Sequence, residues 1–158
     1  MAKEVKTNAL RLLDKLKITY SPHSYECGEF VDGVHIAQQL GQSPEQVFKT
    51  LVTVGKSGAH YVFVLPVDSE LDMKKCAREA GEKSLEMVHV KDINALTGYI
   101  RGGVSPIGMK KQFATFVHTS AEGQATIIVS GGRLGLQVEL APEDLLKACN
   151  GKFADIIA

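Results

Sequence analysis

Three short stretches of this chain hold residues that could do chemistry. In TGYIRGGVSPIGMKK, residues 97–111, four glycines and a proline run into two lysines. Glycine loses more backbone freedom on folding than any other residue, so a run of them is kept for unusual φ/ψ angles or for close approach to the backbone. The N–H groups of the Gly102-Gly103 turn, with no Cβ in the way, can point at an oxygen and act as an oxyanion hole for a reacting carbonyl. On composition alone the plainer reading is a wide turn before a strand. GGVSPIG lacks the Lys and hydroxyl ending of a P-loop and the spacing of a dinucleotide fingerprint, which argues against a nucleoside triphosphate or NAD.

The second stretch is IIVSGGRLGL, residues 127–136. It reads first as a glycine-rich hairpin loop. Ser130 stands at a strand end where its hydroxyl can face a pocket or simply bond nearby backbone. G-x-S-x-G is absent and no Asp/His pair is spaced as a triad, so a serine nucleophile has little support. The third is Lys49 in FKTLV. With a period of two, Phe48, Thr50 and Val52 share one face and Lys49, Leu51 and Thr53 the other. A mid-strand lysine commonly guards an edge or snorkels out of the sheet. The alternative is an ammonium aimed into a cleft, holding a phosphate or an ester oxygen.

Other chemistries find less. His23, His35, His60, His89 and His118 are dispersed without metal-ligand spacing, and no metal or other cofactor is expected. Cys27, Cys76 and Cys149 are odd in number and far apart, which argues against a disulfide framework and against a structural zinc site. Cys27 is the thiol that reads as exposed, with no evident base beside it. Eighteen Lys+Arg balance eighteen Asp+Glu, so no global field draws the chain to nucleic acid or membrane. Lys74, Lys75, Arg78, Lys83, Lys110 and Lys111 read as solvated faces. There is no apolar leader and no run long enough to span a bilayer, which points to a soluble cytoplasmic protein with no membrane partner.

The elements that must position these residues can be read in order. Apolar spacing predicts a helix over Lys3–Lys17 and an extended edge segment in ITYSPHSYE, interrupted by Pro22. Asp32 is expected to cap a helix through GVHIAQQL that Gly41 ends, and Ser43-Pro44-Glu45-Gln46 to open another with a capping box. VFKTLVTV and YVFVLPV form a hairpin around GKSGAH. A helix from Asp72 to Ala80 stopped by Gly81, a strand LEMVHV and a helix DINALT capped by Gly98 lead to the 97–111 loop. Strands QFATFVHT, ATIIVSG and LQVEL follow, the last two joined by a turn GGRLG. A helix PEDLLKAC ended by Gly151 and a strand FADIIA close the chain. Interleaved strands and helices with tight turns, over 158 residues, imply one α+β domain, residues 1–158, with a mixed sheet.

Taken together, PHSYE, FKTLV, TGYIRGGVSPIG and IIVSGGRLGLQVEL resemble, in that order and over nearly the whole chain, the YbaK/EbsC-type prolyl-tRNA editing domains, a family of Cys-tRNA(Pro) deacylases. The resemblance implies a single domain with a curved mixed sheet flanked by helices. It also implies hydrolysis of a wrongly charged aminoacyl ester at the 3′ end of tRNA, a correction needed because a pocket separates cysteine from proline poorly. Prolyl-tRNA synthetase is the partner implied. Carried over by position, Lys49 would bind the terminal nucleotide or its ester and the Gly102 amide the scissile carbonyl oxygen. Tyr25 and Ser130 would be pocket residues, with Phe30, Thr50, Gly103, Ser105, Pro106, Gly131 and Gly132 contributing to substrate binding. In such enzymes the substrate's own thiol attacks its carbonyl, the protein supplying position and charge. A sister group that removes alanine from tRNA(Pro) carries Asn after the lysine and His near the second glycine loop. Thr50 and Ser130 here favour cysteine. The competing readings are an Ala-tRNA(Pro) deacylase, a non-catalytic module that docks on charged tRNA or a synthetase, and a serine or cysteine esterase. The resemblance also implies that the 97–111 glycines serve close approach more than turn geometry.

Overall fold

The computed structural model describes residues 6–25 and 33–158. Helix α1 (Asn8–Lys15) starts where Thr7 Oγ1 accepts from the Leu10 amide at 3.3 Å, and the chain leaves it through Lys17, which takes a left-handed φ of 58°. Its buried stripe is Ala9, Leu10 and Leu13; of the apolar positions Ala9, Leu12, Leu13 and Leu16 read from the sequence, Ala9 and Leu13 are buried while Leu16 is exposed. Strand β1 (Ser21–Ser24) is an edge strand, where the missing N–H of Pro22 does least harm. Helix α2 (Gly33–Leu40) ends at Gly41, φ 69°, and its expected cap Asp32 lies outside the described residues.

The capping box at Ser43–Gln46 does not open a helix. The amides of Gln46 and Val47 both donate to Ser43 O, at 3.0 and 3.2 Å, making a single turn that runs straight into strand β2 (Phe48–Gly55). Tertiary contacts override the local signal. Gln46 does not reach back to a cap but donates from Nε2 to Thr126 Oγ1 at 3.0 Å and Glu139 Oε2 at 3.3 Å.

Strands β2 and β3 (His60–Pro66) form the expected antiparallel hairpin, from Phe48↔Pro66 to Val54↔His60. Helix α3 (Met73–Ala80) is capped by Asp72 and stopped by Gly81 in the left-handed region. The short strand β4 (Leu85–Met87) pairs with the far end of β2, and helix α4 (Val90–Thr97) ends at Gly98. Strand β5 (Ala114–His118) lies parallel to β3, and β8 (Lys152–Ala154) parallel to β5. The result is a mixed five-stranded sheet, β4-β2-β3-β5-β8. Strands β6 (Ile127–Arg133) and β7 (Leu136–Leu140) join β1 in a second, antiparallel sheet, β1-β7-β6. A parallel bridge between Val47 and Ile128 links the two sheets. The α+β arrangement of mixed sheet and helices is as expected; its division in two at this bridge is not visible in the sequence.

Several boundaries differ from expectation: α1 starts at Asn8, after its cap Thr7, and β4 stops at Met87 with Val90 already in α4. β6 runs through the predicted turn GGRLG as far as Arg133, with a bulge between Ser130 and Arg133, because the extra residues are absorbed within the ladder. Helix α5 (Pro142–Cys149) ends at Asn150, φ 52°, one residue before Gly151. FADIIA contributes to β8 only as far as Ala154, after which Ile157 makes one isolated bridge to Leu71.

The five-stranded sheet is buried on both faces. Val62 and Val64 of β3 turn to the second sheet, packing with Val129, Val138 and Leu13 of α1. Phe63 and Leu65 turn the other way, with Phe116, Cys76 of α3 and Ile156. That double burial explains why β3 reads as an unbroken apolar run. Among the described residues no helix is long and apolar enough to cross a membrane.

Glycine lets the 97–111 loop and the β6 bulge lie directly against each other and against the start of α1. A Cβ on Gly103 would stand 2.8 Å from Arg133 Cα, and one on Gly108 would stand 2.8 Å from the Asn8 carbonyl. The close approach here is made by the chain's own backbone. Turn geometry matters equally, since Gly98, Gly102 and Gly108 have φ of 84°, 86° and 71°. Side chains complete the clamp: Thr7 Oγ1 donates to Gly131 O, Tyr99 OH donates to Ile107 O at 2.6 Å, and Ser105 Oγ accepts from the Ile107 amide at 3.2 Å.

Gly81→Ala, where a Cβ meets nothing within 4 Å and only φ is unfavourable, is expected to cost about 1 kcal/mol. Gly108→Ala adds a collision with backbone and is expected to cost about 2–4 kcal/mol by urea denaturation. A second prediction concerns acid. Glu139 is held below its ordinary value by the Thr126 hydroxyl and by His23 Nε2, 2.8 Å away. A lowered carboxylate value means a contribution that is complete above the unfolded value of 4.5 and lost as pH falls through the lower folded one. Glu139→Gln is therefore expected to lose about 1 kcal/mol at neutral pH, and its melting temperature should fall less steeply than the wild type's below about pH 4.5.

Candidate active site

β4 stops short of β2. It pairs with Thr53–Gly55, with one further bond from the Val88 amide to Val52 O at 3.1 Å. Upstream of Val52, that edge of β2 has no β4 residue opposite it. Backbone groups alternate in direction along a strand, so Thr50, two residues from Val52, presents its N–H and C=O to the same open side. The gap is a cavity of about 430 Å³.

Lys49 and Thr50 line it from β2, Gly102 from the loop after α4, Ser130 from β6, and Tyr25 from the end of β1. Five residues singled out by sequence, distant along the chain, thus share one cavity. Each is placed by something local. Lys49 follows Phe48, whose buried ring anchors the strand. Gly102 takes a φ of 86° that only glycine adopts readily. Ser130 stands at the start of the β6 bulge, and its Oγ accepts from the Gly132 amide at 3.2 Å. Tyr25 is held by its amide, which donates to Gly135 O at 2.9 Å.

Gly103, Ser105, Pro106, Gly131 and Gly132 do not line the cavity. Gly103, Ser105, Pro106 and Gly131 are buried behind its wall, and Gly132, φ 103°, packs on Thr7 and Tyr99. Phe30 lies outside the described residues. Sequence reasoning passed over Arg101 and Gln137, which also line the cavity. Arg101 adjoins Gly102 and was open to notice. Gln137 was not: alternation along LQVEL puts it on a polar face, but the end of α2 covers that face. Gln42 and Gln137 pair amide to amide there, at 2.8 and 3.2 Å.

The wall's chemistry is one-sided. Among the described residues no carboxylate, imidazole or thiol lines the cavity, and Lys49 and Arg101 carry its charge. No ion pair holds Lys49 among those residues. Cys76 and Cys149 are buried elsewhere, and burial pushes their thiols up to about 11 and about 12, far from a nucleophilic thiolate. No three His, Cys, Asp or Glu among the described residues are grouped to hold a metal. Thr50 Oγ1 is buried without a hydrogen-bond partner. An unsatisfied hydroxyl of that kind costs about 1–3 kcal/mol, and it belongs to a residue of the cavity wall. The arrangement can bind and polarise a carbonyl or phosphate oxygen, and among the described residues it offers no side chain arranged as a nucleophile with its base.

The model of the aminoacyl-tRNA editing domain family matches residues 32–148. EbsC of Enterococcus faecalis, described as a candidate Cys-tRNA(Pro)/Cys-tRNA(Cys) deacylase, is 47% identical over 152 residues, covering 96% of this chain and 93% of that protein. A proline–tRNA ligase of Shouchella clausii is 32% identical over 74 residues, 47% of this chain and 13% of the ligase. Among solved structures, a candidate trans-editing enzyme for prolyl-tRNA synthetase superposes with a TM-score of 0.81 at 23% identity, over 98% of this chain and 99% of its own. At that identity the likeness is one of fold. From the matched residues and the near full-length relative together, this chain belongs to the aminoacyl-tRNA editing domain family.

Proposed function

We propose that this protein is a trans-editing hydrolase that removes cysteine from mischarged Cys-tRNA(Pro), with Cys-tRNA(Cys) as a second substrate. The observation that carries the reading is a cavity that combines Lys49, Thr50 and the Gly102 loop without a carboxylate, imidazole or thiol among the described residues. Such a wall suits a substrate that brings its own nucleophile. The 47% identity to a protein described as acting on these two charged tRNAs supports the choice of amino acid.

In the reaction so read, Lys49 holds the ester or the terminal nucleotide and the Gly102 amide takes the charge that develops on the carbonyl oxygen. The cysteinyl sulfur gives up its proton and bonds to the carbonyl carbon. The ester C–O bond breaks, and the ribose oxygen leaves with a proton. Water then opens the thiolactone to free cysteine. Serine and alanine lack that sulfur and should be poor substrates. The partner that brings tRNA is prolyl-tRNA synthetase, since a chain of zero net charge has little long-range pull on a polyanion. Charged tRNA as substrate places the protein in the cytoplasm, and no cofactor is needed.

Deacylation of Cys-, Ala- and Pro-charged tRNA(Pro), with and without the synthetase, tests the reading. Cys-tRNA(Pro) should be cleaved at least about 100-fold faster than the other two, in keeping with a whole nucleophile being absent. Lys49→Ala should lose about 10²–10³ in rate, the scale of removing one electrostatic contact to a developing charge, with an unchanged melting curve. Cys27→Ala should stay active. A fully active Lys49→Ala, or an inactive Cys27→Ala, refutes the assignment of roles. Tight binding of charged tRNA without cleavage would make the protein a binding module.

A further inference from the structure

Where β4 gives way to α4, the cavity wall is apolar and open to solvent. Met87 and Val90 are 47% and 55% exposed, and Ile93 stands beside them on the same wall. Among the described residues only Leu16, Met87, Val90 and Ile100 are large hydrophobic side chains this exposed, so half of the set borders one cavity. None of Met87, Val90 and Ile93 packs into a core cluster, so stability does not account for them. The wall is continuous with Lys49 and Gly102.

The size of the cavity points to an occupant. At about 430 Å³ it falls in the range, about 300–1,000 Å³, of sites that enclose a whole drug-sized ligand. A cysteinyl group, with a one-carbon side chain and a sulfur, fills a small part of that. Resting on the deacylase reading, we propose that the Met87–Val90–Ile93 wall is the seat of the purine base of the tRNA's terminal adenosine. That base is attached to the ribose that carries the ester, so a carbonyl held at Gly102 obliges the base to lie within one ribose's reach. Its flat faces lose water favourably against aliphatic side chains. A docked protein fits the wall less well. A stable protein contact needs about 800 Å² on each partner, and Met87 and Val90 line a concavity with only Ile100 as a further exposed large hydrophobic nearby in sequence.

The test compares two small esters with the same leaving oxygen: 3′-O-cysteinyl-adenosine and the cysteinyl ester of the matching base-free ribose. The wild type should cleave the adenosine ester about tenfold faster at low concentration, near the lower end of what one stacked base contributes. Val90→Ser and Met87→Ser, both at exposed positions, should each reduce that ratio, and the double variant should bring it close to one. Replacing adenine by an abasic site at the end of Cys-tRNA(Pro) should lower the wild-type rate by a similar factor and the double variant's rate hardly at all. A wild-type ratio near one, or a ratio the variants leave unmoved, overturns the inference. So does a loss confined to synthetase-dependent turnover, which would assign the wall to a protein partner. Cleavage of no cysteinyl ester at all, free or on tRNA, removes the deacylase reading itself, and this inference with it.

Discussion

Two glycine-rich segments and the beginning of α1 meet backbone to backbone, with no side chain between them at the points of closest approach. The separation is set by Gly103 against Arg133 and by Gly108 against Asn8, each leaving no room for a methyl group. Everything in the candidate site inherits that spacing. The loop bearing Gly102 is laid on the bulge bearing Ser130, and the hydrogen bonds of Thr7 and Tyr99 tie both to the core. A burial of this kind is selective because it is steric. Hydrophobic contact alone would tolerate a shift of an ångström, whereas contact between main chains does not.

The cavity itself arises from a strand that ends early. Because β4 covers only the last part of β2, a length of sheet edge is left facing inward, with the Thr50 backbone turned to the gap and its hydroxyl unsatisfied. Edges are usually closed or guarded. Here the opening is walled by loop, by β6 and by α4, so that this length of edge faces a bounded space. A site of this composition works through position and electrostatics, which is enough where the reacting partner supplies the attacking atom.

Polar contacts outside the cavity fix the strand that carries Lys49. Gln46, immediately before β2, is bound to Thr126 and to Glu139 of the second sheet, and Gln42 is paired with Gln137 of the same strand. Together with the Val47–Ile128 bridge they join the two sheets at the start of the strand that carries Lys49. They also explain why a sequence that looks like a helix start at Ser43 is only a turn. The side chain that should close the capping box is engaged across the sheet joint.

The amino-acid sequence alone determined the elements whose causes are local. The hairpin of β2 and β3, helix α3 between Asp72 and Gly81, helix α4 before Gly98, and the edge character of the Pro22 segment follow from periodicity, caps and turn residues within a few positions. Lys49, Gly102, Ser130, Thr50 and Tyr25 could be singled out one at a time, though the resemblance of motifs, more than residue type, set them above their plainer readings. Tertiary structure decided that these five line one cavity, and that the glycines behind them serve the chain's own packing. It also decided the splitting of the sheet, the burial of Gln137, and the recruitment of Met87, Val90 and Ile93 to the wall. Each of those depends on how far apart two main chains come to rest, and that distance is the summed result of many contacts remote in sequence, which no local pattern encodes.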